Sequence, residues 1–242
     1  MLHSIVFLCC VSLPFSLLRS QELADDAQRA KDTRTVETLL RLKSIDPNTN
    51  PKLSSAVSRY LKTVEGTDRY LDVVEQLKFK AAAEGICELA IEQFATPLGV
   101  QATRVLLKLD GSSRFLEVLE TGSTEEKVAV VHLFGSVGNR LCCETLAEII
   151  MSDKSAPVVR QAAVAALLKS PPGKEVIEEA LESDNFPATL RITTAAAVTQ
   201  LSDTAFKNSV AKYLKLPETA DAQPLPPPVS YTHLRAHETS TY

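Results

Sequence analysis

Apolar residues recur at helical spacing along most of this chain, and turn residues interrupt them at short intervals. Leu53, Ala56, Val57, Tyr60 and Leu61 follow the i, i+3, i+4, i+7, i+8 pattern that places one apolar stripe along a helix. Similar stripes recur between residues 21 and 216, and no stretch sustains the alternation of a strand. A short helix cannot bury its own stripe, so the sequence predicts many helices packed against one another.

Turn residues divide this region into short helices with a regular period. Ser123 and Glu126 have the spacing of a capping box, and Pro97, Pro157 and Pro187 lie 60 and 30 residues apart, which indicates a repeat of about 30 residues. The predicted turns are Asp46 to Pro51, Asp110-Gly111-Ser112, Thr121-Gly122-Ser123, Ser170-Pro171-Pro172 and Asn185-Phe186-Pro187. The prolines predicted at first-turn positions are Pro51, Pro97, Pro157, Pro172 and Pro187.

The composition agrees with an all-α fold. Aromatic residues make up 5% of the chain and Trp is absent, whereas Ala and Leu are abundant, a mixture that favours closely packed helices over sheets. The sequence therefore predicts an all-α solenoid of stacked helix pairs, about a dozen helices in all. Six side chains are predicted to be buried between them: Leu61, Val74, Leu106, Phe134, Leu167 and Val198.

The two ends of the chain differ from the helical region. Residues 1–20 carry a short apolar run typical of a signal peptide, and Pro14 argues against a buried first helix there. Residues 217–228 are rich in proline and are predicted to form an extended linker. Residues 229–239 read VSYTHLRAHET, which resembles a translated sequencing adapter, so residues 229–242, with His233 and His237, are excluded from the native fold.

No residue pattern in the helical region predicts a catalytic, cofactor or metal site. His132 has no His, Asp or Cys four residues later to complete a ligand pair, and it is interpreted as a packed or surface histidine. Cys87, Cys142 and Cys143 are interpreted as small buried apolar residues. Residues 135–139 predict a helix end followed by a cap, and the acidic residues of 175–182 predict a solvated helix face.

The net charge of −4 and the scatter of the basic residues do not indicate a nucleic-acid groove. No small-molecule substrate is evident either. A protein partner, or a neighbouring domain of the same chain, is the interpretation that a stack of helices favours.

The helix that starts at Pro157 resembles the first helix of a HEAT repeat, with Arg160 one turn in and an Ala/Leu packing face, and the segment from Pro187 repeats it with Arg191. With residues 39–42, 50–53 and 224–227, the chain resembles the helical module of large exported bacterial proteins. In those proteins HEAT-like repeats precede a C-terminal c-type cytochrome domain and often follow a propeller-type dehydrogenase domain. This chain instead starts with its own apparent signal peptide and contains no Cys-x-x-Cys-His motif, so no haem ligand is carried over.

The resemblance implies a periplasmic or otherwise exported, redox-associated protein in which the helices are a non-catalytic interaction or spacer scaffold. An alternative is an enzyme, because short HEAT-like repeats also occur in lyases that attach or remove bilin chromophores. That activity would need a reactive side chain, and Cys87 and His132 are the available candidates. A further alternative is a membrane-tethered adaptor that keeps residues 1–18 as an uncleaved anchor.

We expect the intact gene to continue past Pro228 into a c-type haem domain, because a proline-rich linker joins two folded units and the resemblance places a cytochrome there. Sequencing across the junction should reveal a Cys-x-x-Cys-His motif within about 100 to 150 residues. A stop codon soon after Pro228 would contradict this expectation.

Overall fold

In a computed structural model, the backbone is described for residues 15–183 and 186–214, and the side chains from residue 25 onward. This part of the chain is all-α, with twelve α-helices and two short 3₁₀ helices, Pro47–Thr49 and Lys80–Ala82. The α-helices are α1 Phe15–Leu42, α2 Pro51–Thr63, α3 Asp68–Leu77, α4 Ala83–Glu92, α5 Pro97–Asp110, α6 Ser113–Thr121, α7 Thr124–Val137, α8 Arg140–Met151, α9 Pro157–Leu167, α10 Pro171–Glu182, α11 Ala188–Thr199 and α12 Thr204–Val210. The chain divides into two compact units, Met1–Ile177 and Glu178–Tyr242.

Side-chain caps fix where most of these helices begin. The Ser123 hydroxyl accepts a hydrogen bond from the backbone N–H of Glu126 at 3.2 Å, and the Glu126 carboxylate accepts one from the Ser123 N–H at 2.7 Å, which confirms the predicted capping box. Asn50, Thr67 and Thr96 cap α2, α3 and α5 in the same way, each through one side-chain oxygen. Local sequence alone therefore sets these starts.

The predicted period also appears in the helix starts. Helices α5, α7, α9 and α11 begin at residues 97, 124, 157 and 188, close to the predicted spacing of about 30 residues. Pro51, Pro97 and Pro157 are the first residues of their helices, as predicted. Pro187 is instead the residue before α11, where its fixed φ of −59° with ψ of 126° gives the extended entry to the helix.

Two helices differ in length from the sequence prediction. Helix α1 has 28 residues, although short helices were expected throughout. Helix α12 ends at Val210, although the apolar stripes of the sequence continue to residue 216, and Leu214 is nonetheless buried. Both differences arise where the apolar stripe was a weak guide to the helix boundary.

Within the first unit, most contacts join helices that are one or two positions apart in the chain, and α4 also contacts α7. Neighbours in sequence pack together, as in α1 with α2, α4 with α5 and α8 with α9. The odd-numbered helices also contact one another in chain order, from α1 through α3, α5 and α7 to α9. Each helix thereby covers the apolar stripe of its neighbours.

The six predicted core residues are all buried. Leu61, Val74, Leu106, Phe134 and Leu167 lie in the first unit with at most 4% of their surface exposed, and Val198 is fully buried in the second. The Phe134 ring packs edge-on against Phe115, with ring centroids 5.4 Å apart. Hydrophobic periodicity thus identified the core correctly.

Small residues allow α7 and α9 to pack closely. A Cβ atom added to Gly135 would lie 2.6 Å from the Cβ of Ala166, closer than packed carbon atoms tolerate. The backbones can meet at this point only because one residue is Gly and the other Ala.

The second unit contains α11 and α12 and has its own apolar contacts. Leu190, Val198, Phe206 and Val210 are buried there. Tyr213 donates a hydrogen bond from its hydroxyl to the Glu182 carboxylate at 3.0 Å.

The predictions for the two ends fall mainly outside the described residues. Residues 1–14 of the predicted signal peptide, the linker 217–228 and the tail 229–242 are not among them. Among the described residues, no helix combines the length and the apolar character needed to span a bilayer.

Substituting Leu167 by Asp should lower the free energy of unfolding by about 4 kcal/mol or more, because it places an unpaired carboxylate at a 1% exposed position of α9, a helix that packs against α7 and α8. Val158→Asp is the matched control on the same helix, since the Val158 side chain is 51% exposed. Urea unfolding followed by circular dichroism measures both variants. An equal loss of unfolding free energy in the two variants would contradict the packing described.

Candidate interaction surface

His132, interpreted from the sequence as a packed or surface histidine, lies on α7 and is packed. Its ring contacts Phe94 edge-on at 5.5 Å between ring centroids, and its Nδ1 has no hydrogen-bond partner among the described residues. Burial lowers the pKa of His132, and the nearby Lys169 ammonium lowers it further. In the described part of the chain, no three His, Cys, Asp or Glu side chains come together as metal ligands would.

The three described cysteines are buried thiols. Burial raises the pKa of Cys87 to about 11 and that of Cys142 to about 12, so both are protonated at neutral pH. The Cys143 sulfur lies 3.7 Å from the Ser170 hydroxyl, and burial raises its pKa as well. Their interpretation as small apolar residues is confirmed.

The remaining predicted features also have structural roles. Gly138 ends α7 in the left-handed conformation with φ 62°, and Asn139 then caps α8 by accepting a hydrogen bond from the backbone N–H of Cys142. On α10, Glu175, Glu179 and Glu182 are exposed, as predicted for a solvated face.

Sequence reasoning missed an ion pair that joins α1 and α2. Arg59 donates from Nε to Asp32 Oδ2 at 2.7 Å and from Nη2 to Oδ1 at 2.8 Å, and Gln28 donates to Oδ1 at 2.9 Å. The hydrogen bond from Arg59 is the largest cause that lowers the pKa of Asp32, and burial opposes it. Asp32 is 3% exposed, so its charge is stabilised by these donors in place of water.

Sequence reasoning also missed a groove beside this pair. Two depressions, of about 380 and 370 Å³, are both lined by Leu39 and Ile45. We call them together the α1 groove. The first is also lined by Ala27, Ala30, Lys31, Arg34, Thr35, Thr38 and Leu53, and the second by Leu40, Lys43, Ser44, Asp46, Asn48, Gln76, Leu77, Lys78 and Lys80.

Two lysines of the α1 groove occupy an unusual backbone conformation. Lys43 follows α1 with φ 48° and Lys78 follows α3 with φ 49°, and they are the two non-glycine residues with positive φ in the described chain. The left-handed conformation costs an ordinary residue about 1 to 2 kcal/mol, which is why Gly is common at helix ends. The sequence places a lysine at both positions despite this cost.

Asn48 holds the wall of the groove near Lys78. Its Nδ2 donates to the backbone carbonyl of Lys78 at 3.0 Å, and its Oδ1 accepts from the backbone N–H of Lys80 at 3.0 Å. Its backbone and side-chain N–H groups also donate to the Asp46 carboxylate, and these two bonds lower the pKa of Asp46. The turn at 46–50 is thereby attached to the end of α3.

Comparison with known proteins supplied no relative. No family model, no curated protein and no solved structure matches the chain.

Replacing Arg59 by Ala should lower the melting temperature at pH 7 by a few degrees, because it leaves a buried carboxylate with Gln28 as its remaining donor. The folded-state pKa of Asp32 lies below its ordinary value of 3.8. The pair therefore stabilises the protein fully above that value, and its contribution is lost as the pH falls below it. The difference in melting temperature between the Arg59→Ala variant and the wild type should therefore become smaller below pH ~4.

Arg29→Ala is the control for that experiment, since Arg29 and Asp26 form an exposed pair at 3.9 Å. Thermal unfolding from pH 3 to 7 compares the two variants. Equal melting temperatures for Arg59→Ala and Arg29→Ala at pH 7 would show that the buried pair contributes no more than the exposed one.

Proposed function

We propose that this chain is a non-catalytic, protein-binding scaffold of HEAT-like helix pairs. The observation that carries the proposal is the α1 groove, an open surface with apolar residues on its floor and charged residues around it. Surfaces of this kind, on stacked helices that contact their neighbours in chain order, are typical of proteins that bind other proteins.

The HEAT-like character is supported by the spacing of helix starts and by the arginine of the predicted repeat helix. Arg160, near the start of α9, donates from Nε to the backbone carbonyl of Ile150 in α8 at 2.9 Å. Carbonyl groups in the last turn of a helix have no hydrogen-bond donor within that helix. Arg160, near the start of the next helix, supplies the donor for one of them. An arginine at that position therefore has a defined role in joining consecutive helices.

The proposal places the scaffold in the periplasm, beside a c-type cytochrome domain. Its support is the apolar run in residues 1–20, the proline-rich segment 217–228, and the resemblance of the intervening helices to modules of exported redox proteins.

The bilin-lyase alternative gains no support from its two candidate residues. The Cys87 thiol is 6% exposed and its pKa is raised to about 11, so at neutral pH it is a buried, protonated and weakly nucleophilic group. The His132 ring packs against Phe94, and its Nδ1 is buried with no hydrogen-bond partner among the described residues.

The proposal is tested by selecting a random peptide library against the folded full-length chain, with the heat-unfolded chain as the control target. We expect a family of related peptides that bind the folded chain and not the unfolded one, with one peptide per chain by calorimetry. Recovery of the same peptides from both targets, or of none from the folded chain, would overturn the proposal.

A further inference from the structure

We propose that the α1 groove binds an acidic amphipathic helix of a partner protein, with the partner's apolar residues beside Ile45 and its carboxylates beside the surrounding lysines. This assignment rests on the proposed function, because it specifies the partner of a protein-binding scaffold.

The charge of the groove indicates an acidic partner. Its lining residues include five cations and one carboxylate, that of Asp46, which already accepts two hydrogen bonds from Asn48. The cations are Lys31, Arg34, Lys43, Lys78 and Lys80. None of them forms an ion pair within 4.0 Å in the described part of the chain, although the chain as a whole is acidic with a net charge of −4.

Two cations on other helices, α5 and α2, do have partners. Lys108 lies 2.6 Å from Glu75, and Arg59 lies 2.7 Å from Asp32. The basic residues of the groove are thus a local excess of one sign, which favours association with a partner of opposite charge.

The apolar residues of the groove indicate that the partner also contributes hydrophobic contacts. Ile45 is 42% exposed at the junction of the two depressions, and Leu39 forms a buried floor on either side of it. Leu42, one helical turn from Leu39, is 53% exposed. Exposed side chains of this size near a recessed floor are suited to the spaced apolar residues of an amphipathic helix.

The shape of the groove favours a helix over a small molecule or a lipid surface. A small ligand needs a cavity that encloses most of it, whereas here the cationic side chains are exposed. A bilayer contacts protruding residues, and Leu39 is 2% exposed. From Ala27 to Leu42 the helix α1 extends roughly 23 Å, the length of a helix of about 16 residues.

The two left-handed lysines allow a test that does not depend on damaging the fold. Lys43→Gly with Lys78→Gly removes two charges at positions where Gly relieves backbone strain, so the double variant should remain folded. The matched control is Arg104→Gln with Lys154→Gln, which removes two exposed cations that do not line the groove.

The probe is a fluorescein-labelled peptide of about 16 residues in which Leu recurs at helical spacing among Glu, titrated with the full-length chain. We expect saturable binding that weakens with added salt. The Lys43→Gly, Lys78→Gly variant should bind about two- to thirtyfold more weakly, and the control variant should bind within about twofold of wild type. Ile45→Asp, at a partly exposed position, should abolish binding without unfolding the chain.

Three results would overturn the assignment. They are equal binding by the two double variants, equal binding of a peptide with Gln in place of Glu, and complete displacement of the peptide by phosphatidylserine vesicles. If the peptide library yields binders that are not acidic, or that Ile45→Asp does not affect, this assignment fails and the scaffold proposal stands. If the library yields none, both fail.

Discussion

Short amphipathic helices cannot bury their apolar stripes alone, and the packing of this chain follows from that constraint. In the first unit, helices adjacent in the chain such as α4 and α5, and alternate helices such as α7 and α9, pack together, so residues such as Leu106 and Phe134 lose contact with water only when their neighbours are in place. The close approach of α7 and α9 at Gly135 and Ala166 requires small side chains on both helices. Folding of one helix is therefore coupled to folding of the next.

Polar interactions fix details that apolar burial leaves open. The pairing of Asp32 with Arg59 sets how α1 meets α2, because a buried carboxylate requires its donors at hydrogen-bond distance. Asn48 performs a similar function at the turn after α1 by binding the backbone on both sides of Phe79. Such contacts contribute little net free energy compared with burial, but they define one geometry.

The α1 groove combines three features. Its cations have no ion-pair partners among the described residues, two of them occupy a costly backbone conformation, and Ile45 remains partly exposed between the two depressions. A glycine at Lys43 or Lys78 would remove the backbone strain at that position. A lysine in a strained position is explained where its charge has a function. The thiols and His132, by contrast, are accounted for by packing.

The sequence by itself determined the all-α class, the capping box at Ser123, most helix starts and the six core residues, because each depends on groups within about one or two helical turns. Only the tertiary structure decided the pairing of Asp32 with Arg59, 27 positions apart, and the meeting of residues near 45 with those near 78. These contacts depend on how the helices pack, and many different arrangements of helices would bury the same apolar stripes. The α1 groove belongs to this second class, since its cations are scattered in sequence and become one surface only when α1 and α3 are in place.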